Sequence, residues 1–143
     1  MRYRIEFVYG EPKKFIVHLS EKLMWSDEEG WLVFEFTDGG VRRPVEGEIP
    51  RYVIDILNLE GIESVEVRPH SLLIRIAELT TFNRVWGSIA YLLALNIAGD
   101  PDDIEEGGSP FVVAPNEKGD LVRKAVVPRQ VGVQLTDRSD GRE

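Results

Sequence analysis

The chain has no cysteine in its 143 residues, and it has only two histidines and two glutamines. Without cysteine there is no disulfide, no thiolate metal site, no iron–sulfur ligation by this chain alone and no thiol nucleophile. His18 and His70 stand far apart in the sequence, so a paired-histidine metal helix is also missing. No glycine-rich phosphate loop and no nucleophile elbow occurs. The expectation is therefore a non-enzymatic protein with no metal and no cofactor. Long apolar runs are lacking too: the longest, Ile89 to Leu95, is seven residues, far short of the ~20 needed to cross a bilayer. The opening Met1-Arg2-Tyr3-Arg4 is charged and alternating, unlike a signal peptide. A cytoplasmic protein without membrane contact is expected.

What is present is ordinary for a globular domain: 43% hydrophobic and 29% charged residues, in a length that supports one core. The charge balance is more informative. Twenty-five acids against 17 bases give a formal net charge of −8, which repels nucleic-acid phosphates unless the bases cluster. Along the sequence they stand as isolated pairs, Lys13-Lys14, Arg42-Arg43 and Arg123-Lys124. No direct nucleic-acid contact is expected, and the natural partner for such a surface is a protein with a basic face. Twelve of the 17 bases are arginine, and the scarcity of thermolabile Gln and Cys beside them fits a heat-adapted protein.

Two periodicities divide the chain. Tyr3, Ile5, Phe7 and Tyr9 alternate with Arg2, Arg4, Glu6 and Val8, Phe15, Val17 and Leu19 face one way, and Gly10-Glu11-Pro12 between the two runs predicts a hairpin. Trp31 to Thr37 reads as another strand, returned by Asp38-Gly39 through Val41 to Val45. From Pro50 the period changes: Tyr52, Val53, Ile56, Leu57 and Leu59 fit one face of a short helix stopped at Gly61. Ser64 to Arg68 and Leu72 to Ala77 follow as short strands about a Pro69-His70-Ser71 turn. Phe82, Val85, Trp86, Ile89, Leu92, Leu93 and Asn96 then mark the strongest helix, capped by Thr80 or Thr81 and ended by Gly99 and Pro101. The expected fold class is α+β: an antiparallel sheet with two helices and an extended C-terminal appendage. Residues 1–99 form the expected core, 100–110 an acidic linker, 111–135 an extended segment and 136–143 a disordered tail.

Candidate contact residues follow from loops and charge. Asp27, Glu28 and Glu29 form an acidic turn flanked by Trp25 and Trp31, and exposed aromatics beside charges are typical anchors for a protein partner. Asp100, Asp102, Asp103, Glu105 and Glu106 form a second acidic segment. It is not a calcium loop, because Ile104 and Glu105 stand where that loop needs an acid or amide and then glycine. Trp86 belongs to the core stripe. His18 faces outward from its strand and His70 lies in a turn, so both read as solvated side chains and not as catalytic bases.

Two resemblances add to this. Ile49 to Leu93 runs as helix, Gly61-Ile62-Glu63-Ser64-Val65-Glu66-Val67, second strand Leu72 to Ile76, then the helix with Trp86. This resembles the N-terminal domain of Nfu/NifU-type iron–sulfur scaffold proteins over about a third of the chain, without that family's Asn-Pro-rich opening or its cysteine-bearing partner domain. It implies an accessory role in iron–sulfur assembly. In size, acidity, arginine bias and extended tail the whole chain is similar to small regulators encoded by phages of thermophilic bacteria. That resemblance implies a host-cytoplasmic protein that binds RNA polymerase and acts as a transcription inhibitor or antiterminator; no residue roles carry over. A small enzyme built on carboxylates is the third expectation.

Overall fold

The computed structural model describes residues 1–23, 32–37, 40–42, 49–129 and 132–135. Its strands are β1 (Arg2–Phe7), β2 (Lys14–Leu19), β3 (Leu32–Thr37), β4 (Gly40–Arg42), β5 (Ile62–Val67), β6 (Ser71–Ile76), β7 (Glu105–Glu106), β8 (Phe111–Pro115), β9 (Leu121–Arg129) and β10 (Gly132–Leu135). Helix α1 (Arg51–Leu57) falls between β4 and β5, and α2 (Phe82–Leu93), continued by a π-helical turn Ala94–Ala98, between β6 and β7. The class is α+β. Strand order is β10-β9-β8-β1-β2-β6-β5-β3-β4, with β7 also beside β1. Most neighbours are antiparallel, but β1 pairs in parallel with β7 and β8.

The expected hairpin of β1 and β2 forms with Tyr3 opposite Leu19, Ile5 opposite Val17 and Phe7 opposite Phe15. Because side chains alternate, these residues share one face with Leu72, Ile74 and Ile76 of β6, Val65 and Val67 of β5, and Val112 and Ala114 of β8, and both helices cover that face. From α1 come Tyr52, Val53, Ile56 and Leu57, and from α2 come Phe82, Val85, Ile89 and Leu93. Phe82 seats the start of α2 by meeting Phe7 and Phe15 edge-on, at 5.0 and 4.9 Å between ring centroids. Fully buried aliphatic side chains such as Ile56, Ile74 and Ile89 each contribute roughly 1.5–3 kcal/mol. Trp86, expected in the core, is half-buried at its border, 4.9 Å from the Tyr3 ring and stacked at 5.7 Å on Phe82.

Local details correct the expected helix ends. Thr81 occupies the N-cap position of α2, but its side chain makes no capping bond. Asn96 donates from its side chain to the Leu92 carbonyl at 2.8 Å and to Asp55 on α1 at 3.3 Å. Such back-bonding competes with the helix ladder, and the π turn begins here, before Gly99 at φ 78 and the Asp100 N–H to Ala94 carbonyl bond close the helix. Gly61 has φ 94, and a Cβ there would run into the Thr80 side chain, so the α1–β5 turn requires glycine.

Residues 100–110, expected as a linker, are exposed in most side chains but tied down in the backbone. Glu105 N–H donates to the Met1 carbonyl and Gly107 N–H to that of Tyr3. Residues 111–135, expected as an appendage, contribute β8, β9 and β10 to the same sheet, and Val112, Ala114 and Val126 to the same core. The sheet is accordingly mixed where an antiparallel one was expected.

Candidate binding surfaces

On the face covered by the helices, one stretch of α2 remains uncovered. Ser88 and Tyr91 stand off the buried stripe of Val85, Ile89 and Leu93, and Leu95 continues that outward side into the π turn. Tyr91 is 52% exposed, Leu95 41%, and Leu79, in the turn before α2, 91%. Two depressions share Leu59 and Ser88. One, of about 470 Å³, is also lined by Glu60, Leu79, Thr80, Arg84 and Val85; the other, of about 330 Å³, by Gly87, Tyr91 and Leu92. Gly87 lacks a side chain where Tyr91 and Leu59 flank it, which opens the space between them. The result is a groove of mixed polarity, with Glu60 and Arg84 in the wall of its larger part and Leu59, Tyr91 and Leu92 around the smaller. Sequence reading missed these residues, although a signal was there. The run Ile89 to Leu95 is apolar on more sides of the helix than one core-facing stripe requires.

The opposite face of the sheet carries no described helix. Arg4 lies opposite His18, and Glu6 opposite Ile16, which is in turn opposite Leu73. Lys14 lies opposite Arg75, and Phe111 of β8 opposite Glu6. Arg123 of β9 lies opposite Val113. Phe111 is only 4% exposed, because the guanidinium of Arg4 sits 4.3 Å and that of Arg123 4.7 Å from its ring centre. The His18 ring stacks near Phe111 at 6.1 Å, and its Nε2 meets Glu6 Oε1 at 2.8 Å. Arg4 Nε also donates to the Ser109 carbonyl at 2.9 Å, and Arg68 donates to Glu66 at 2.7 Å. The strand residues on this side thus include Arg4, Lys14, Arg75 and Arg123, with Glu6 and Glu66 already engaged by His18 and Arg68. Bases isolated in the sequence are adjacent in the fold.

The five acids of the second expected contact segment are exposed, and three already have partners. Asp100 Oδ1 accepts the Asp102 N–H, Asp103 meets the Met1 amine at 2.7 Å, and Glu105 meets Arg2 at 3.6 Å. Asp100, Asp102 and Glu106 form no ion pair among the described residues, and of these Asp100 alone accepts a backbone hydrogen bond through its side chain. Trp25, Asp27, Glu28, Glu29 and Trp31 lie outside the described residues. His70 is exposed in the β5–β6 turn, where its carbonyl accepts the Leu19 N–H. Among the described residues no group of three or more His, Asp or Glu side chains is placed to hold a metal, and no helix is long and apolar enough to cross a membrane. Among the described residues Tyr52 is the titrating group displaced by its surroundings: burial pushes its phenol from 10.0 up to about 12, and its hydroxyl has no hydrogen-bond partner there.

Comparison with known proteins finds no matching family model, no matching curated protein and no matching solved structure.

Proposed function

We propose that the chain is a non-catalytic regulator that docks on a large protein complex, and that this complex is bacterial RNA polymerase. The observation that carries the reading is the groove along α2: Tyr91, Leu95 and Leu79 are large apolar side chains left exposed beside two adjoining depressions. Exposed apolar surface of this kind is the usual core of a protein–protein contact, and a tyrosine at its centre is a typical anchor. Charge selects the partner. Glu60 lines the groove, Glu78 precedes Leu79, and Asp102 and Glu106 are displayed on a backbone held against β1. Enzymes that handle nucleic acid present basic surfaces that such acids complement.

The test is surface-based binding kinetics against purified RNA polymerase from a thermophilic bacterium. Tyr91→Ala is expected to accelerate dissociation by about tenfold or more, since truncating an anchor acts mainly on the off-rate. The pair Asp102→Asn and Glu106→Gln is expected to slow association and weaken its salt dependence, because screened long-range attraction sets the encounter rate. Absence of binding, or binding that ignores Tyr91→Ala, contradicts the reading.

A further inference from the structure

We infer that the face of the sheet with no described helix is a second binding site, for the phosphate backbone of a single-stranded nucleic acid. The acidic net charge hides this face, because the fold separates the signs. Arg4, Lys14, Arg75 and Arg123 come from four different strands, and strand alternation turns all four to one side. Neighbouring strands lie about 4.8 Å apart. From β9 across β8, β1 and β2 to β6 is four such steps, so Arg123 and Arg75 bracket roughly 19 Å, a length suited to a few nucleotides of extended chain.

The chemistry of the face favours phosphate. Three of the four bases are arginine, whose planar fork grips phosphate oxygens with paired bonds. Phe111 holds two of those guanidinium groups from below, at 4.3 and 4.7 Å, so part of their ordering is done before a ligand arrives. Of the carboxylates on the face, Glu66 is paired with Arg68, Glu6 is bonded to His18, which offsets its charge only when the ring is protonated, and Glu11, an exposed hairpin residue, bridges Lys14 at 3.0 Å. Between the cations lie Ile16, which is buried, and the half-buried Leu73, so the cations carry the contact. Phe111 itself is covered by arginine and is not a stacking platform. Recognition is therefore electrostatic and tolerant of sequence.

Fluorescence anisotropy with a labelled oligothymidylate and a labelled oligouridylate, each about 20 nucleotides long, tests this from low to moderate salt. Four phosphate contacts predict a log–log salt slope near roughly −3, and removing two of them lowers the slope by about 1.4. Arg75→Gln with Arg123→Gln is expected to weaken binding about tenfold or more at low salt. Arg75→Gln alone, at an exposed position without the Phe111 contact, is expected to weaken it by a smaller factor with an unchanged melting curve. Tyr91→Ala is expected to leave it untouched. No binding at low salt, or equal binding by parent and double variant, overturns the proposal. So does binding to phosphatidylserine vesicles with none to either oligonucleotide.

Discussion

Ile74 and Arg75 are neighbours in β6 and belong to different worlds. Ile74 is fully buried between Phe15 and Val65 beneath the helices, whereas Arg75 is exposed beside Lys14 on the side of the sheet with no described helix. The same one-residue step separates Val17 from His18 and Val112 from Phe111. The covered face is apolar and continuous, and it specifies the fold. The other face combines cations, engaged carboxylates and a short apolar strip, and little of that is needed to hold the strands together. Among the described residues helices pack on one side of the sheet only, and a largely antiparallel sheet can present its other side to solvent.

The widest expected gap between the two faces is in stability. Ile74→Ala should destabilise the protein by about 2–5 kcal/mol in urea unfolding, through lost transfer energy and an unfilled cavity. Arg75→Ala should stay within about 0.5 kcal/mol of the parent. Similar losses for the two would mean that both faces are buried, and would break the comparison.

A smaller effect sharpens it. The Tyr52 phenol is buried on the covered side with no partner among the described residues, and its pKa is raised from 10.0 to about 12. Above pH 10 the unfolded chain loses this proton while the folded chain keeps it, so stability present below pH 10 declines as pH rises toward 12. The loss attributable to this group is on the order of 2 kcal/mol. Tyr52→Phe should remove that part of the alkaline decline and, with no hydrogen bond to lose, change stability little at neutral pH. Urea unfolding of both proteins between pH 8 and pH 11 (roughly, the range in which the step begins) checks it; parallel declines would place the phenol in solvent.

Much of the fold was legible in the residues. Alternation in Tyr3, Ile5 and Phe7, the α2 stripe, and left-handed glycines at 61 and 99 each encode local structure, and local signals survive folding. The parallel pairing of β1 with β8 was not legible. Glu6 meets Phe111 across more than a hundred residues, and alternation states which face a residue takes but not which strand lies beside it. The same limit hid the candidate surfaces. Arg4, Lys14, Arg75 and Arg123 look scattered until the strand order assembles them. The segment from Asp100 to Pro110 looked like a linker because composition reports side-chain exposure and is blind to main-chain bonds such as Gly107 to Tyr3. The acids proposed for contact were visible, but their internal partners, Met1 for Asp103 and Arg2 for Glu105, were not.

The absence of cysteine makes the most direct test of two separate binding faces simple, because one introduced thiol is then the only one. Ser88→Cys places it in the groove on α2, and Arg75→Cys places it on the sheet face with no described helix. The measurement is the rate of thiol labelling of each variant, alone, with thermophilic RNA polymerase, and with oligothymidylate. The expected result is crossed protection: the polymerase slows labelling at position 88 and leaves 75 reactive, while the oligonucleotide slows labelling at 75 and leaves 88 reactive. Protection of the same position by both ligands, or of neither position by either, would contradict the account.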